Sequence, residues 1–213
     1  MNAATKTAKV NGRPREFDLD KATEKAMLVF WKRGYEGASV AELTEVMGIS
    51  KPSLYAAFGD KRGLFEAALL RYDDGPRAFA AQALKLPTAK ETVRTLLEGA
   101  VEVSTRRKGP RGCLQTQAAL ACGPEADEVK DMVSQRRLVG EGKLRSRLRQ
   151  AQSGGELPAK ADVGVLARYV ASVGLGITVQ AASGVSRKEL MGVVEMVMRG
   201  WPAVGRGASS FIG

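Results

Sequence analysis

The stretch Gly34-Tyr35-Glu36-Gly37-Ala38-Ser39-Val40, continued by Gly48-Ile49-Ser50-Lys51-Pro52-Ser53-Leu54-Tyr55 and closed by Phe58-Gly59-Asp60-Lys61, compresses two very short helices and a tight turn into one segment. Ser39 precedes Val40, Leu43, Val46 and Met47, an apolar set at helical spacing, and its hydroxyl suits the free amides of a first turn. Gly48 supplies the permissive backbone that ends this helix, and Ile49 is an apolar plug. Ser50 caps a second helix, whose early Pro52 stands where no amide donor is needed. A connection of about three or four residues between two such helices predicts a helix-turn-helix. On the second helix Leu54 and Phe58 share a face, which directs Lys51, Ser53, Tyr55 and Ala56 elsewhere. A face carrying a cation, a hydroxyl and a phenol suits a phosphate-lined groove.

With these residues in place, the segment from Phe17 to Leu69 resembles the DNA-binding region of the TetR family of transcriptional regulators. The shared pattern is Gly-aromatic, a hydroxyl residue opening the second helix, Gly-Ile-Ser, Leu-Tyr, then Phe, Lys and Leu at fixed spacing across three elements. The chain departs from it at Pro52, Ala57 and Arg62-Gly63. The resemblance implies that Ser39 and Lys61 hold phosphates, Tyr55 contacts the backbone, and Lys51, Pro52 and Ser53 lie nearest the base edges. Lys61 follows a Gly-Asp break at a helix start, where a cation and free amides address the same phosphate. The alternative is that Tyr55 merely packs and Lys51 is merely solvated.

The 213 residues carry 33 Lys and Arg against 23 Asp and Glu, a formal charge of +10, and no histidine. Such an excess draws a protein toward polyanions, either nucleic acid or an anionic membrane surface. Lack of histidine removes the commonest metal ligand and general base, which argues against a zinc site and most hydrolases, and no metal or cofactor is expected. Proline is sparse within the periodic segments and strand-like alternation is missing, so the expected class is all-α. No N-terminal apolar core marks a signal peptide and no later run is read as a membrane span, so the expected location is cytoplasmic. Two cysteines are too few for a disulfide framework.

Four regions are expected: a flexible basic arm over 1–16, the helix-turn-helix unit over 17–62, a helical ligand-binding and dimerisation unit over 63–205, and a disordered tail over 206–213. A helix from Asp18 or Asp20 to Gly34 presents Ala22, Ala26, Val29 and Phe30 as scaffold. After Lys61 a longer helix leaves the unit, broken or kinked at Asp73-Asp74-Gly75-Pro76. Helices follow over about 88–107, 113–121, 125–152, 161–182 and 186–201. The basic side of the third of these, 125–152, is a second nucleic-acid surface or, in the preferred reading, a solvated face opposite packed Val129, Val133, Leu144 and Leu148.

The last two helices are strongly apolar, and the resemblance implies that they pair with those of a second copy, giving two reading heads about one DNA turn apart for a palindromic operator. The alternative is that they complete the monomer core. For the signal, two mechanisms stand side by side. A small apolar ligand enters a cavity lined by Leu114, Gln117, Leu138, Tyr169 and Val173; or Cys113, at a helix start beside Lys108 and Arg111, is alkylated or oxidised. Cys113 is alternatively a buried small hydrophobe. In an unbroken helix Cys122 lies about 13 Å away, too far for a disulfide. The function expected from all this is a DNA-binding transcriptional regulator released by a small-molecule or electrophile signal. Two other classes remain: a basic helical scaffold or membrane-surface protein, which leaves the spacing from Ser39 to Lys61 unexplained, and a small-molecule-binding enzyme of helical fold, for which no histidine or carboxylate pair stands at a recognisable spacing.

Overall fold

The computed structural model describes residues 15–120 and 126–202, and all regular structure among them is helical. The expected arm over 1–14, the tail over 206–213 and Cys122 lie outside the described residues. The elements are α1 (Arg15–Gly37), α2 (Val40–Met47), α3 (Lys51–Phe58), α4 (Lys61–Asp74), α5 (Phe79–Ala83), α6 (Ala89–Ser104), α7 (Leu114–Leu120), α8 (Asp127–Ser153), α9 (Val163–Ala182) and α10 (Arg187–Arg199).

Most boundaries follow from local chemistry. Thr88 and Ser186 each form a reciprocal capping box with the glutamate three residues on, Glu91 and Glu189, and Asp162 accepts from the amides of Gly164 and Val165. Two expectations change. The first helix begins at Arg15 instead of Asp18 or Asp20, so residues 15 and 16 are helical and not part of an arm. Near its other end α1 leaves helical geometry at Gly34, whose φ of 73° and ψ of 177° turn the chain before Gly37. Second, α6 stops at Ser104, so the loop before α7 begins at Thr105.

Buried side chains form two clusters. The first joins α1–α4 and includes Phe30, Trp31, Leu43, Leu54, Leu64, Phe65, Leu69 and Tyr72. It does not end near residue 62, because Leu114 and Ala118 of α7 and Val129 and Val133 of α8 belong to it. The second cluster packs α6, the C-terminal half of α8, α9 and α10 around Val93, Leu97, Leu148, Val170, Ile177, Val194 and Val197. The 27-residue α8 therefore serves both cores.

The sequence expectation that no run reaches membrane-span character is corrected by α9. Its 20 residues include an 18-residue window of mean hydropathy 1.4, long and apolar enough by length and composition. Only 22% of that window is buried, because one side meets α6 and α8 while Val165, Tyr169, Leu175 and Val179 face outward.

Between α6 and α10, Arg94 donates to Glu195 and Arg187 to Glu102, while within α6 Arg94 also donates to Glu98. The hydrogen bond from Arg94 holds the Glu195 carboxyl below its ordinary range. A lowered carboxylate pKa contributes stability that is present above the unfolded value, about 4.3, and is lost as pH falls through the folded value. Glu195→Gln is therefore expected to lower the neutral plateau of a thermal-stability profile slightly while converging with the unsubstituted chain at acid pH, which flattens the acid limb. A profile of unchanged shape would remove this pair from the acid response.

Candidate nucleic-acid interface

The turn between α2 and α3 holds only Gly48, Ile49 and Ser50. Ser39 caps α2, its hydroxyl accepting from the Glu42 amide at 3.1 Å. Gly48 sits in the left-handed region at φ 74°, and its N–H bonds to Thr44 and Glu45 while the Ile49 N–H bonds to Thr44 at 3.1 Å. Ser50 then accepts from the Ser53 amide at 3.2 Å, and the two hydroxyls lie 2.9 Å apart. These bonds leave the two helices little freedom relative to each other.

On α3 only Leu54 is fully buried, in the first core cluster, with Phe58 packed half-buried beside it. Lys51, Pro52, Ser53, Tyr55, Ala56 and Ala57 are exposed, Tyr55 at 49%. The helix is thus pinned by one edge and presents a continuous polar and small-residue face. Gly59 closes it, and Asp60 caps α4 by accepting from the Gly63 amide at 2.7 Å. Lys61, the first residue of α4, holds its ammonium 4.5 Å from the centroid of the Tyr35 ring. Tyr35 in turn packs edge-on to Phe65 at 5.2 Å and stacks on Phe30 at 6.1 Å. A cation over an aromatic face is held without losing its charge. Sequence reasoning missed Tyr35 as the platform for Lys61; the Gly-aromatic dipeptide before α2 is the signal that could have found it.

The six residues Ser39, Lys51, Pro52, Ser53, Tyr55 and Lys61 thus fall on one contiguous unit, at the starts of α2, α3 and α4 and along the free face of α3. The five expected cavity residues are not gathered in the same way. Leu114 is fully buried in the first core cluster, whereas Val173 packs against the second. Gln117 donates its amide to the Arg111 carbonyl at 2.8 Å. Leu138 is 53% exposed on α8, and Tyr169 lines an open groove of 490 Å³ with Glu141, Arg145, Gly164, Val165, Arg168 and Ser172. Helical periodicity says which side of a helix is apolar and not which neighbour it meets, so the five are spread over both core clusters and the surface. Cys113 is a free, half-buried thiol packed against the first cluster. Burial first, and the neighbouring Cys113 second, push the Tyr72 phenol far above its ordinary value, so it stays protonated.

Residues 22–68 match the family model described as bacterial regulatory proteins, tetR family, and residues 89–191 match that of a tetracyclin repressor-like C-terminal domain. Similarity extends over nearly the whole chain to the HTH-type transcriptional repressor ComR of Escherichia coli K12, 34% identical over 91% of this chain and 93% of ComR. The chain belongs to the TetR family of transcriptional regulators. Another TetR relative, the repressor BdcR of Escherichia coli K12, is 36% identical over 58% of this chain and 64% of its own. Among solved structures, a double cysteine mutant of the TetR family regulator CifR, complexed with 26-bp double-strand operator DNA, is 46% identical. The match covers 89% of this chain and 100% of that one, with a TM-score of 0.83. As a TetR family member the chain is a helix-turn-helix transcriptional regulator and not an enzyme.

Proposed function

We propose that the chain is a cytoplasmic repressor that binds a palindromic operator as a homodimer and releases it on a small-molecule or electrophile signal. The observation that carries this reading is the outward face shared by α9 and α10. Val165, Tyr169, Leu175, Val179, Val193 and Met196 are exposed there, Val165 at 63% and Met196 at 65%. A side chain added at Gly176 or Gly192 would meet nothing within 4 Å, so helices of a second copy can approach closely. An apolar face of this kind is costly to leave in water. Pairing through it is isologous and presents both reading heads on one side, matching the symmetry of a palindrome. The repressor names of ComR and BdcR favour repression over activation.

In this reading Ser39, Tyr55 and Lys61 position the head on phosphates, and Lys51, Pro52 and Ser53 select the sequence. Electrophoretic shift with the DNA flanking the protein's own gene tests it, with analytical ultracentrifugation alongside. Binding that is neither sequence-selective nor salt-sensitive, or a monomer at micromolar concentration, would overturn it. Lys61→Ala is expected to weaken binding uniformly across sequences and to lower the salt slope by about one. Lys51→Ala should instead change the ranking of operator variants.

For the signal, Cys113 stands where α7 begins, beside a phenol that does not ionise. Cys113→Ser is expected to abolish release of operator by N-ethylmaleimide if alkylation is the trigger, and unchanged release assigns the signal to a non-covalent ligand.

A further inference from the structure

The loop from Thr105 to Cys113 touches both halves of the molecule within two successive residues. On one side, the Trp31 indole N–H of α1 donates to the Gly112 carbonyl at 3.2 Å, a buried bond across 81 positions of sequence. The Trp31 ring is fully buried, meets Tyr72 of α4 edge-on at 4.8 Å and carries the Arg106 guanidinium 4.6 Å above it. On the other side, Arg111 donates from Nε to the Ala181 carbonyl at 2.9 Å and from a terminal nitrogen to the Val185 carbonyl at 2.8 Å. These carbonyls lie in the last turn of α9 and in the turn into α10; that of Ala181 also accepts from the Gly184 N–H at 3.1 Å. A cation there also complements the negative end of the helix.

Gly112 is where the two sets cross. Its φ is 79°, and an added Cβ would lie 2.9 Å from the Gln117 amide nitrogen, 3.0 Å from the Ala182 Cβ and 3.3 Å from the Thr178 carbonyl oxygen. Its N–H bonds to the Ser104 carbonyl at 3.0 Å, and Gln117 holds the Arg111 carbonyl. Every hydrogen-bonding group of the Arg111–Gly112 peptide that faces inward is therefore committed, so the loop transmits displacement and does not absorb it.

We propose that Arg111, Gly112 and Trp31 are positioning residues forming a direct strut between α1 of the reading head and the C-terminal end of α9, and that this strut sets the head's orientation against the α9–α10 face. The linkage is within one chain; its consequence, the spacing of two heads on an operator, rests on the dimeric reading given above. Movement of α7 or of α9 then reaches the head without passing through α4.

Pulsed dipolar spectroscopy between nitroxides at positions 45 on α2 and 188 on α10 tests this. The labels are carried on a ketone-bearing amino acid so that Cys113 is untouched, and labelled chain is diluted in unlabelled chain so that distances within one chain are read. The expected result is a narrow distribution that shifts or broadens by about 2 Å or more in Trp31→Phe, which keeps an aromatic ring, though a smaller one, and deletes the donor, and in Arg111→Met, which keeps the stem and deletes the cation. A variant that lowers the unfolding temperature while both distributions stay as in the unsubstituted chain has a purely local role, and the strut is overturned. Undiluted chain labelled only at position 45 reports head-to-head distance separately; no dipolar signal there counts against the dimer and leaves the intramolecular distance to judge the strut.

Discussion

Trp31→Ala is expected to lower the thermal unfolding midpoint by on the order of 10 °C and to abolish operator binding at the growth temperature of a mesophile. Trp31 is among the largest fully buried side chains. Truncating a buried tryptophan costs about 3–5 kcal/mol through lost burial and the cavity left behind. That is a large share of the ~5–15 kcal/mol that holds a domain together. The void would open between α1, α4 and α7, where no neighbouring element can collapse into it, since Tyr72 and Arg106 are oriented by the same ring. The Gly112 carbonyl loses its buried donor as well. Differential scanning fluorimetry checks the midpoint. A drop of about 2 °C or less would mean that the site repacks, and the first core cluster would then be far more plastic than its contacts imply.

Asp73→Ala should have the second largest effect, about 2–3 kcal/mol in urea unfolding. One carboxylate near the end of α4 accepts from Arg77 at 3.2 Å, from the Gln115 amide of α7 at 3.0 Å and from Arg136 of α8 at 2.8 Å. Gln115 is buried, and the Arg136 and Asp73 side chains are mostly shielded, at 23% and 28% exposure. Removing the acceptor leaves two guanidinium groups facing one another and an amide with no partner, and that orphaning accounts for most of the cost. Arg136→Met added to Asp73→Ala should therefore recover part of the loss, giving a coupling energy above about 1 kcal/mol in a double-mutant cycle. Simple additivity would show that the hub's members act independently.

The reading head was legible because its determinants are local. Ser39, Ser50 and Asp60 each cap a helix through an amide three residues on, Gly48 takes the one backbone conformation that ends α2, and Leu54 is the residue that pins α3. Interactions of that range are written in consecutive letters, which is why the spacing from Ser39 to Lys61 pointed to the family that residues 22–68 match. The C-terminal half was legible only as helices. That α7 packs beneath α1, so that Leu114 lies in the head's core, depends on a contact between residues about eighty positions apart, as does the Trp31 bond to Gly112. Nothing in the sequence around Leu114, Leu138 or Tyr169 distinguishes a side chain that enters a core from one that lies on a surface. The apolar character of α9 was clear, whereas its division into a packed side and an outward side needed α6 and α8 in place.

The first core cluster, shared by α1–α4 with α7 and the start of α8, also bears on how such chains can diversify. A recombination event that joined the first 75 residues to a foreign sensor would strand Leu64, Phe65 and Tyr72 without the residues of α7 and α8 that cover them. Viable chimaeras should therefore carry α7 and the N-terminal turns of α8 along with the head, or arrive with a compensating set of small and large side chains on both sides of the seam. Under the function proposed above, new operators would be acquired by point changes along α3 more readily than by exchange of whole heads, and new signals by changes in α6, α9 and the far half of α8, which leave that seam intact.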